Sequence, residues 1–392
     1  HKAIRRQRQM CIRDRNKRVV FMSHDASMQG GAQGCLSDLV KGLKTMCPHY
    51  KIYLISPKEK GLVENLKPYI EGYAIIKQPW WMVIAPKKPL IKPIFRLFRI
   101  LKYAYKTLKY LRTINPDIVM SNTIASPVAA LACKWGSYTH FWFVHEVPPH
   151  VGIYSYLYAE RRILRWLDRL SKSVFVVSDY TLNYYQPYIS GVNRLQKIHV
   201  AVGTELVRSE EVKHSRYTLL QIGHFDDNKG QEDAIKAAEL LVSKFNLDFH
   251  LFLVGATDEA YTKYIFELIR KSNLEAYVSV IKYTTEISVF YEQADVLLIC
   301  SRSETLSKVD IEAQKMGLPV IATDIDANKE QIIDNYNGIL YKRGNIDDLA
   351  SAINKLSNPV LRKKMGMNAM NYMSDKYTMQ NYISEFVTAT GL

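Results

Sequence analysis

Long apolar runs are missing from this chain: its 392 residues contain no uninterrupted apolar stretch of about 18, so no helix is expected to span a bilayer. Cysteine is scarce. The five present (Cys11, Cys35, Cys47, Cys133, Cys300) have no CxxC spacing, which argues against a disulfide framework or zinc ribbon and suits reduced thiols in a cytosolic protein. Metal-ligand spacing, low-complexity tracts and repeats are also lacking, and no helix-turn-helix, RNA-binding or zinc-finger pattern appears. No metal, no cofactor and no nucleic-acid partner is therefore expected. Acid is scarce in one half only. Residues 1–205 carry 32 Lys/Arg against 12 Asp/Glu, whereas residues 206–392 carry 21 against 26. Residues 72–116 hold ten Lys/Arg and no acid, so an anionic membrane surface is the expected partner of the first half.

What is present indicates a folded chain. Hydrophobic residues make up 47% and aromatic residues 11%, too much for a disordered class, and the length allows two domains with their own cores. The first 15 residues show neither periodicity nor turn chemistry. They are expected to be a non-native or disordered basic tail, the alternative being a basic membrane arm.

Beyond them, short apolar runs alternate with amphipathic stretches. Strands are predicted at 19–23, 51–56, 117–121, 140–145 and 174–178, then at 217–223, 249–255, 278–282, 296–300 and 319–323. Helical segments fall between them, which argues for parallel sheets covered on both faces. Two doubly wound domains follow, 16–203 and 216–376, joined by a polar linker near 202–216. In the basic stretch, 94–113 is strongly amphipathic. Lys92, Arg96, Arg99, Lys102, Lys106 and Lys109 share one arc opposite Leu97, Leu101, Ala104, Leu108 and Leu111. With Trp80 and Trp81, this cationic face suits a lipid-docking surface or a solvated helix face.

Four segments carry chemistry. Ser301-Arg-Ser-Glu-Thr-Leu-Ser-Lys-Val-Asp-Ile-Glu312 follows a buried strand and runs into a helix ended by Gly317-Leu-Pro. Glu304 falls in the loop and Glu312 on the helix. Carboxylates there suit sugar or ribose hydroxyls, since each accepts two hydrogen bonds. Gly223-His-Phe-Asp-Asp-Asn-Lys-Gly230 is a strand-to-helix loop whose Lys229 can counter a phosphate. Gly30-Gly31 precedes a helix start, a place for a close-approaching phosphate, although such a pair alone marks only a loop. His145 ends a predicted central strand with Glu146 beside it. A lone histidine is usually structural, and only that position recommends it. Asp324 and Asp326 are read as a loop and helix-cap pair rather than metal ligands.

The order of these motifs resembles family 4 of the glycosyltransferases, retaining enzymes of the GT-B fold that use nucleotide-sugar donors. The acids Glu304 and Glu312 match its Glu-x7-Glu element, and Gly317-Leu-Pro-Val-Ile follows as it should. The resemblance implies two Rossmann-like domains facing across a cleft, with the helix near 377–392 packing back on the first domain. It further implies that Glu304 orients the donor sugar, Glu312 binds the ribose, Lys229 and His224 hold the diphosphate, and His145 contacts the sugar. Gly30, Gly31, Thr305, Leu306, Ser307 and Lys308 would complete the donor site.

Departures from the family pattern are His224 for an arginine, Gln33 for a glutamate, and Thr305-Leu306-Ser307 for Gly-Phe-Gly. The activity implied is retaining transfer from a nucleotide sugar to a glycan or lipid-linked acceptor in bacterial cell-surface polysaccharide synthesis. A cytoplasmic enzyme, peripheral on the inner membrane face, is expected. The alternatives are a non-catalytic glycosyltransferase-like partner subunit or another GT-B enzyme such as a sugar-nucleotide epimerase.

Overall fold

The computed structural model describes residues 16–28, 30–84, 92–147, 154–156, 158–202 and 216–392. The expected basic tail and nearly all of the expected linker lie outside the described residues. The chain divides into two compact units, His1–Gly203 with Thr378–Leu392, and Thr204–Tyr377.

The first unit is built on β1 (Arg18–Ser23), β2 (Lys51–Ser56), β3 (Gly72–Ile75), β5 (Ile118–Asn122), β6 (His140–Val144), β8 (Ser173–Val176) and β9 (Leu195–Lys197), in the order β3-β2-β1-β5-β6-β8-β9. All neighbours are parallel. A small antiparallel pair, β4 (Met82–Ile84) with β7 (Tyr154–Tyr156), stands apart. The chain moves outward from β1 through β3, then returns to β5 and moves the other way. Right-handed crossovers therefore place α1 (Gly31–Met46) and α2 (Leu62–Leu66) on one face. On the other face lie α3 (Lys92–Ile114), α4 (Val128–Gly136), α5 (Glu160–Arg169) and α6 (Asp179–Tyr185). The core shows this arrangement: Leu108 and Leu111 of α3 pack with Ala129 and Cys133 of α4, and Ala130 of α4 packs with Ile163, Leu164 and Leu167 of α5. Strands covered on both faces need no polar side, and Val19–Phe21 and Phe141–Val144 are buried almost without remainder.

Two expectations fail on the second of these faces. Trp81 is not a docking residue: it is 1% exposed and stacks on Trp142 and Trp166, because the short β4 segment turns it into the core. Trp80 is half-buried against the His24 ring, 5.1 Å away. The helix pattern is also misassigned. The buried stripe of α3 is Ile100, Ala104, Leu108, Leu111 and Ile114, whereas Leu97 and Leu101 are 43% and 37% exposed. Arg96, expected on the solvated arc, instead donates to the carbonyl oxygens of Trp80 and Met82 at 3.2 and 2.9 Å.

The second unit holds β10 (Tyr217–Ile222), β11 (Phe249–Ala256), β12 (Val278–Lys282), β13 (Val296–Ile299), β14 (Val320–Thr323) and β15 (Gly338–Tyr341), all parallel, in the order β12-β11-β10-β13-β14-β15. Its helices are α7 (Gln231–Ser243), α8 (Glu259–Lys271), α9 (Ser288–Gln293), α10 (Lys308–Lys315), α11 (Asp326–Lys329), α12 (Ile346–Leu356) and α13 (Pro359–Lys376). Strand order reverses between β10 and β13, the point where such sheets offer a crevice to a ligand.

The last helix, α14 (Met379–Thr390), belongs to the first unit. Its Phe386 ring lies 6.0 Å from Phe21, Tyr382 donates to the Cys35 carbonyl at 3.2 Å, and Glu385 accepts from the His199 amide at 2.8 Å. Gly42 of α1 lets it approach, since a Cβ there would meet Met379 Sδ at 2.5 Å.

Candidate active site

In the second unit, the loops leaving β10 and β13 start from neighbouring strands at the switch point, so residues 223–230 and 300–307 run side by side. Gly230 allows the closest approach. Its φ is +68°, and a Cβ would sit 2.2 Å from the Cys300 carbonyl oxygen, a position closed to other residues. Three hydrogen bonds lace the loops together: the Arg302 amide donates to the Asn228 carbonyl at 2.7 Å, Asn228 Nδ2 donates to the Ser303 carbonyl at 3.1 Å, and Arg302 Nη1 donates to Asp227 Oδ2 at 2.6 Å.

This lacing brings Lys229 Nζ to 2.5 Å from Glu304 Oε1, and Ser301 Oγ donates to the same oxygen at 2.7 Å. Gln221 Nε2 fixes the Lys229 carbonyl at 2.7 Å. Burial opposes the lysine charge, but the carboxylates of Glu304 and Asp226 outweigh it and hold the Lys229 pKa above its ordinary value. The result is an ammonium and a carboxylate at the carboxyl ends of two central strands.

Glu312, on α10, is 8% exposed and accepts from the Tyr291 hydroxyl at 2.8 Å. Ser307 caps this helix, its Oγ accepting from the Asp310 amide. Its own amide and carbonyl are both taken by the Gln331 side chain at 2.9 Å, so the Ser307 amide points into a buried network rather than toward a ligand. Gln314, Gln331 and Asn337 continue that network. Asp310 completes it: Gln314 Nε2 donates to Oδ1 at 2.6 Å, while buried Oδ2 has no hydrogen-bond partner. Burial, aided by the charge of Glu304, pushes the Asp310 carboxyl up to about 7. Thr305, Leu306 and Lys308 are half-buried beside these groups.

His224 stands elsewhere. It is exposed, pairs through Nδ1 with Thr257 Oγ1 at 3.1 Å, and lines a cavity of about 620 Å³ with Asp226, Asp227, Asp258 and Tyr261. Lys229 and Glu304 do not line that cavity. Asp324 pairs with Lys329 at 2.5 Å, and Asp326 opens α11 after Ile325, which is the cap residue. Among the described residues, no group of three or more His, Cys, Asp or Glu could hold a metal.

In the first unit, Gly30 precedes α1 with φ −91° and ψ 142°. It is extended rather than left-handed, so its freedom of φ is not what the turn requires. An added Cβ would instead meet the buried Gln33 side chain. Gly31 opens the helix with open space where its Cβ would be. His145 is buried. Its Nε2 lies 2.8 Å from Asn122 Oδ1, and Asn122 Nδ2 donates to the Ala32 carbonyl at 3.0 Å, tying the imidazole to the first turn of α1.

Glu146 braces the adjacent strand ends by accepting from the amides of Ile124 and His145 at 2.9 and 3.1 Å. Burial still pushes its carboxyl up to about 7. Between them Thr123 adopts φ +84°, strained for a β-branched residue, with Oγ1 2.8 Å from His24 Nδ1. Asn122 and Thr123 lie in no motif, and His24, at the start of the loop that leads to Gly30–Gly31, carried no signal of its own. Ser301 and Asp310 lay inside a motif but away from its two acids, and Tyr291 left no signal at all.

Two family models match the chain in succession, "Glycosyltransferase Family 4" over residues 29–204 and "Glycosyl transferases group 1" over residues 204–372. Among curated relatives, an uncharacterized glycosyltransferase of Haemophilus influenzae is 28% identical over 185 residues, 47% of this chain and 51% of that protein. N-acetyl-alpha-D-glucosaminyl L-malate synthase of Bacillus anthracis is 25% identical over 186 residues, 47% of this chain and 48% of that protein. The chain thus spans about half the length of these curated relatives. Two solved structures share the fold over nearly the whole chain. HepE of Anabaena, crystallised with UDP and glucose, has TM-score 0.75 and 17% identity, covering 95% of this chain and 99% of its own. Sucrose-phosphate synthase of Thermosynechococcus elongatus has TM-score 0.74 and 18% identity, covering 95% and 98%. With both halves matched in order and two parallel α/β units beneath them, the chain belongs to the family 4, group 1 glycosyltransferases and has their GT-B fold.

Proposed function

We propose that the protein is a retaining glycosyltransferase. It would move a sugar from a nucleotide-diphosphate donor to a hydroxyl of a glycan or lipid-linked acceptor in cell-surface polysaccharide synthesis. The observation that carries this reading is the Lys229–Glu304 contact at the switch point, held by Ser301. An ammonium there stabilises the charge that develops on a departing diphosphate, and the adjacent carboxylate accepts from sugar hydroxyls. Glu312, further along on α10, is the acid this reading assigns to the ribose hydroxyls, with its Oε2 already held by the Tyr291 hydroxyl. In the first unit, the start of α1 at Gly30–Gly31 offers backbone N–H groups to a phosphate, and His145 is the polar group at the end of β6. In the reaction, the bond from the sugar C1 to the diphosphate oxygen breaks, and the acceptor oxygen bonds C1 on the same face. The acceptor proton passes to the leaving phosphate oxygen.

The UDP held by HepE and the name of a Staphylococcus aureus relative, the capsular polysaccharide biosynthesis glycosyltransferase CapM, support testing UDP-sugars and polysaccharide acceptors first. A thermal-shift panel of UDP-, GDP- and other nucleotide sugars should give one clear stabiliser. Hydrolysis or transfer of that donor should then be lost in Lys229→Ala and Glu304→Ala. If no nucleotide sugar raises the melting temperature or is turned over, the reading fails.

A second reading, a non-catalytic partner subunit, is favoured by the position of His224. Where the family clamps the diphosphate with arginine, this side chain is exposed and bonded to Thr257. Donor binding without turnover under any acceptor condition would select it.

A further inference from the structure

The outer side of α3 combines two properties that a solvated helix does not need. Its N-terminal half exposes large apolar side chains: Phe95 is 66% exposed, Phe98 67%, Leu97 43% and Leu101 37%, with Tyr105 at 52% one turn on. Interleaved with these, Arg99, Lys102, Lys106, Lys109 and Arg112 are exposed, and the helix contains no acid. At about 100° per residue, Leu101, Tyr105, Phe98, Lys109, Lys102, Phe95, Lys106 and Arg99 follow one another around a single outward arc. Apolar anchors thus sit within a ring of cations. Leu97 lies on the angle of the buried stripe yet is 43% exposed, so the core does not cover it, although Arg96 ties this end of the helix to the carbonyls of Trp80 and Met82.

Helix α5 packs on the same face of the sheet and extends the charge. Arg161, Arg162, Arg165 and Arg169 are exposed while Ile163, Leu164 and Leu167 are buried. The two acids of α5 are turned to partners in their own unit: Glu160 accepts from Tyr184, and Asp168 pairs with Arg194 at 2.6 Å.

We infer that this face docks the protein on an anionic lipid bilayer, with Phe95, Phe98 and Leu101 inserted among the headgroups and the flanking lysines and arginines on the lipid phosphates. Charge complementarity attracts such a surface, and exposed phenylalanines give it a salt-resistant hold. A nucleic-acid groove uses the cations but leaves no apolar place for Leu97, Leu101 and Phe95 together. The inference stands on the first unit alone and is independent of the donor chemistry proposed for the second.

Flotation of the full chain with vesicles tests it. Binding is expected to phosphatidylcholine vesicles containing phosphatidylglycerol and not to phosphatidylcholine alone, with part of the bound protein retained at high salt. Phe95→Ser with Phe98→Ser should weaken binding about tenfold and remove the salt-resistant fraction. Arg99→Glu with Lys102→Glu should instead remove the preference for phosphatidylglycerol. All four residues are exposed or clear of the core, so melting temperatures should hold. No binding to phosphatidylglycerol vesicles at low salt would overturn the inference. So would undiminished binding of both double variants, or tighter binding to duplex RNA or DNA than to the vesicles.

Discussion

Lys229 is held by Glu304 through a 2.5 Å contact, and the same ammonium is the one a diphosphate would require. Breaking the pair from either side leaves a partly buried charge without its partner, which costs about 1–3 kcal/mol once solvent access is allowed for. Lys229→Met and Glu304→Gln should therefore each lower the melting temperature. The double variant should lose less than their sum, because each single change already removes the shared contact. Additive losses would show that the two side chains do not depend on each other.

Asp310 gives a second test at this scale. Burial pushes its carboxyl up to about 7, well above the ordinary carboxylate range, so the folded state holds a proton that the unfolded state has already released. Stability from this group is full below the unfolded pKa and declines as pH rises through the folded one, with about 4 kcal/mol as an upper bound. Glu146, also pushed up to about 7, acts in the same direction. Asp310→Asn mimics the neutral carboxyl and should flatten the fall in melting temperature between about pH 4 and about pH 7. An unchanged slope would remove Asp310 as a cause. Neither role was readable from the motif, since it flags acids by spacing and says nothing of which carboxyl is sealed from water.

At the scale of elements, the site depends on one crossing of two loops. Gly230 passes over the Cys300 carbonyl in a left-handed conformation. Gly230→Ala must therefore shift the β10–α7 loop away from the β13–α10 loop and carry Lys229 with it. A loss of roughly 2 kcal/mol or more in stability is expected, together with weaker nucleotide-sugar binding. Wild-type melting and affinity would mean that the crossing is dispensable. The glycine was visible in the sequence, but its partner was not, because the contact joins residues 70 positions apart.

The central strands were legible because both faces are covered and they read as apolar runs. The strands β3, β4, β7, β9 and β15 are only three or four residues long and left no usable period. For α3, the periodicity showed that the helix is amphipathic but misjudged its buried side. Apolar residues occupy more than one face, and only the depth of the core beneath each turn decides which of them are covered.

For the whole molecule, the question is what the last helix does for a unit from which it is separated by the 174 residues of Thr204–Tyr377. The side chains of α14 are not surface decoration: Tyr382, Ile383, Phe386 and Val387 are between 0% and 4% exposed. Each buried side chain of this size contributes about 1.5–3 kcal/mol, so the four together rival the 5–15 kcal/mol that typically separates folded from unfolded domains. The polar contacts add direction. His199 offers both its amide and Nδ1 to Glu385, which fixes α14 against the end of the first unit's sheet. A chain ending at Tyr377 should therefore lose the cooperative melting of the first unit and expose it to protease. The second unit (Thr204–Tyr377) keeps its sheet and core intact and should still fold. If that unit alone holds the donor, thermal stabilisation by the nucleotide sugar should survive the truncation while transfer is lost. A truncated chain that melts in both units as the full chain does would show that α14 is an appendage. Loss of donor binding with the helix would show that the two units do not fold independently.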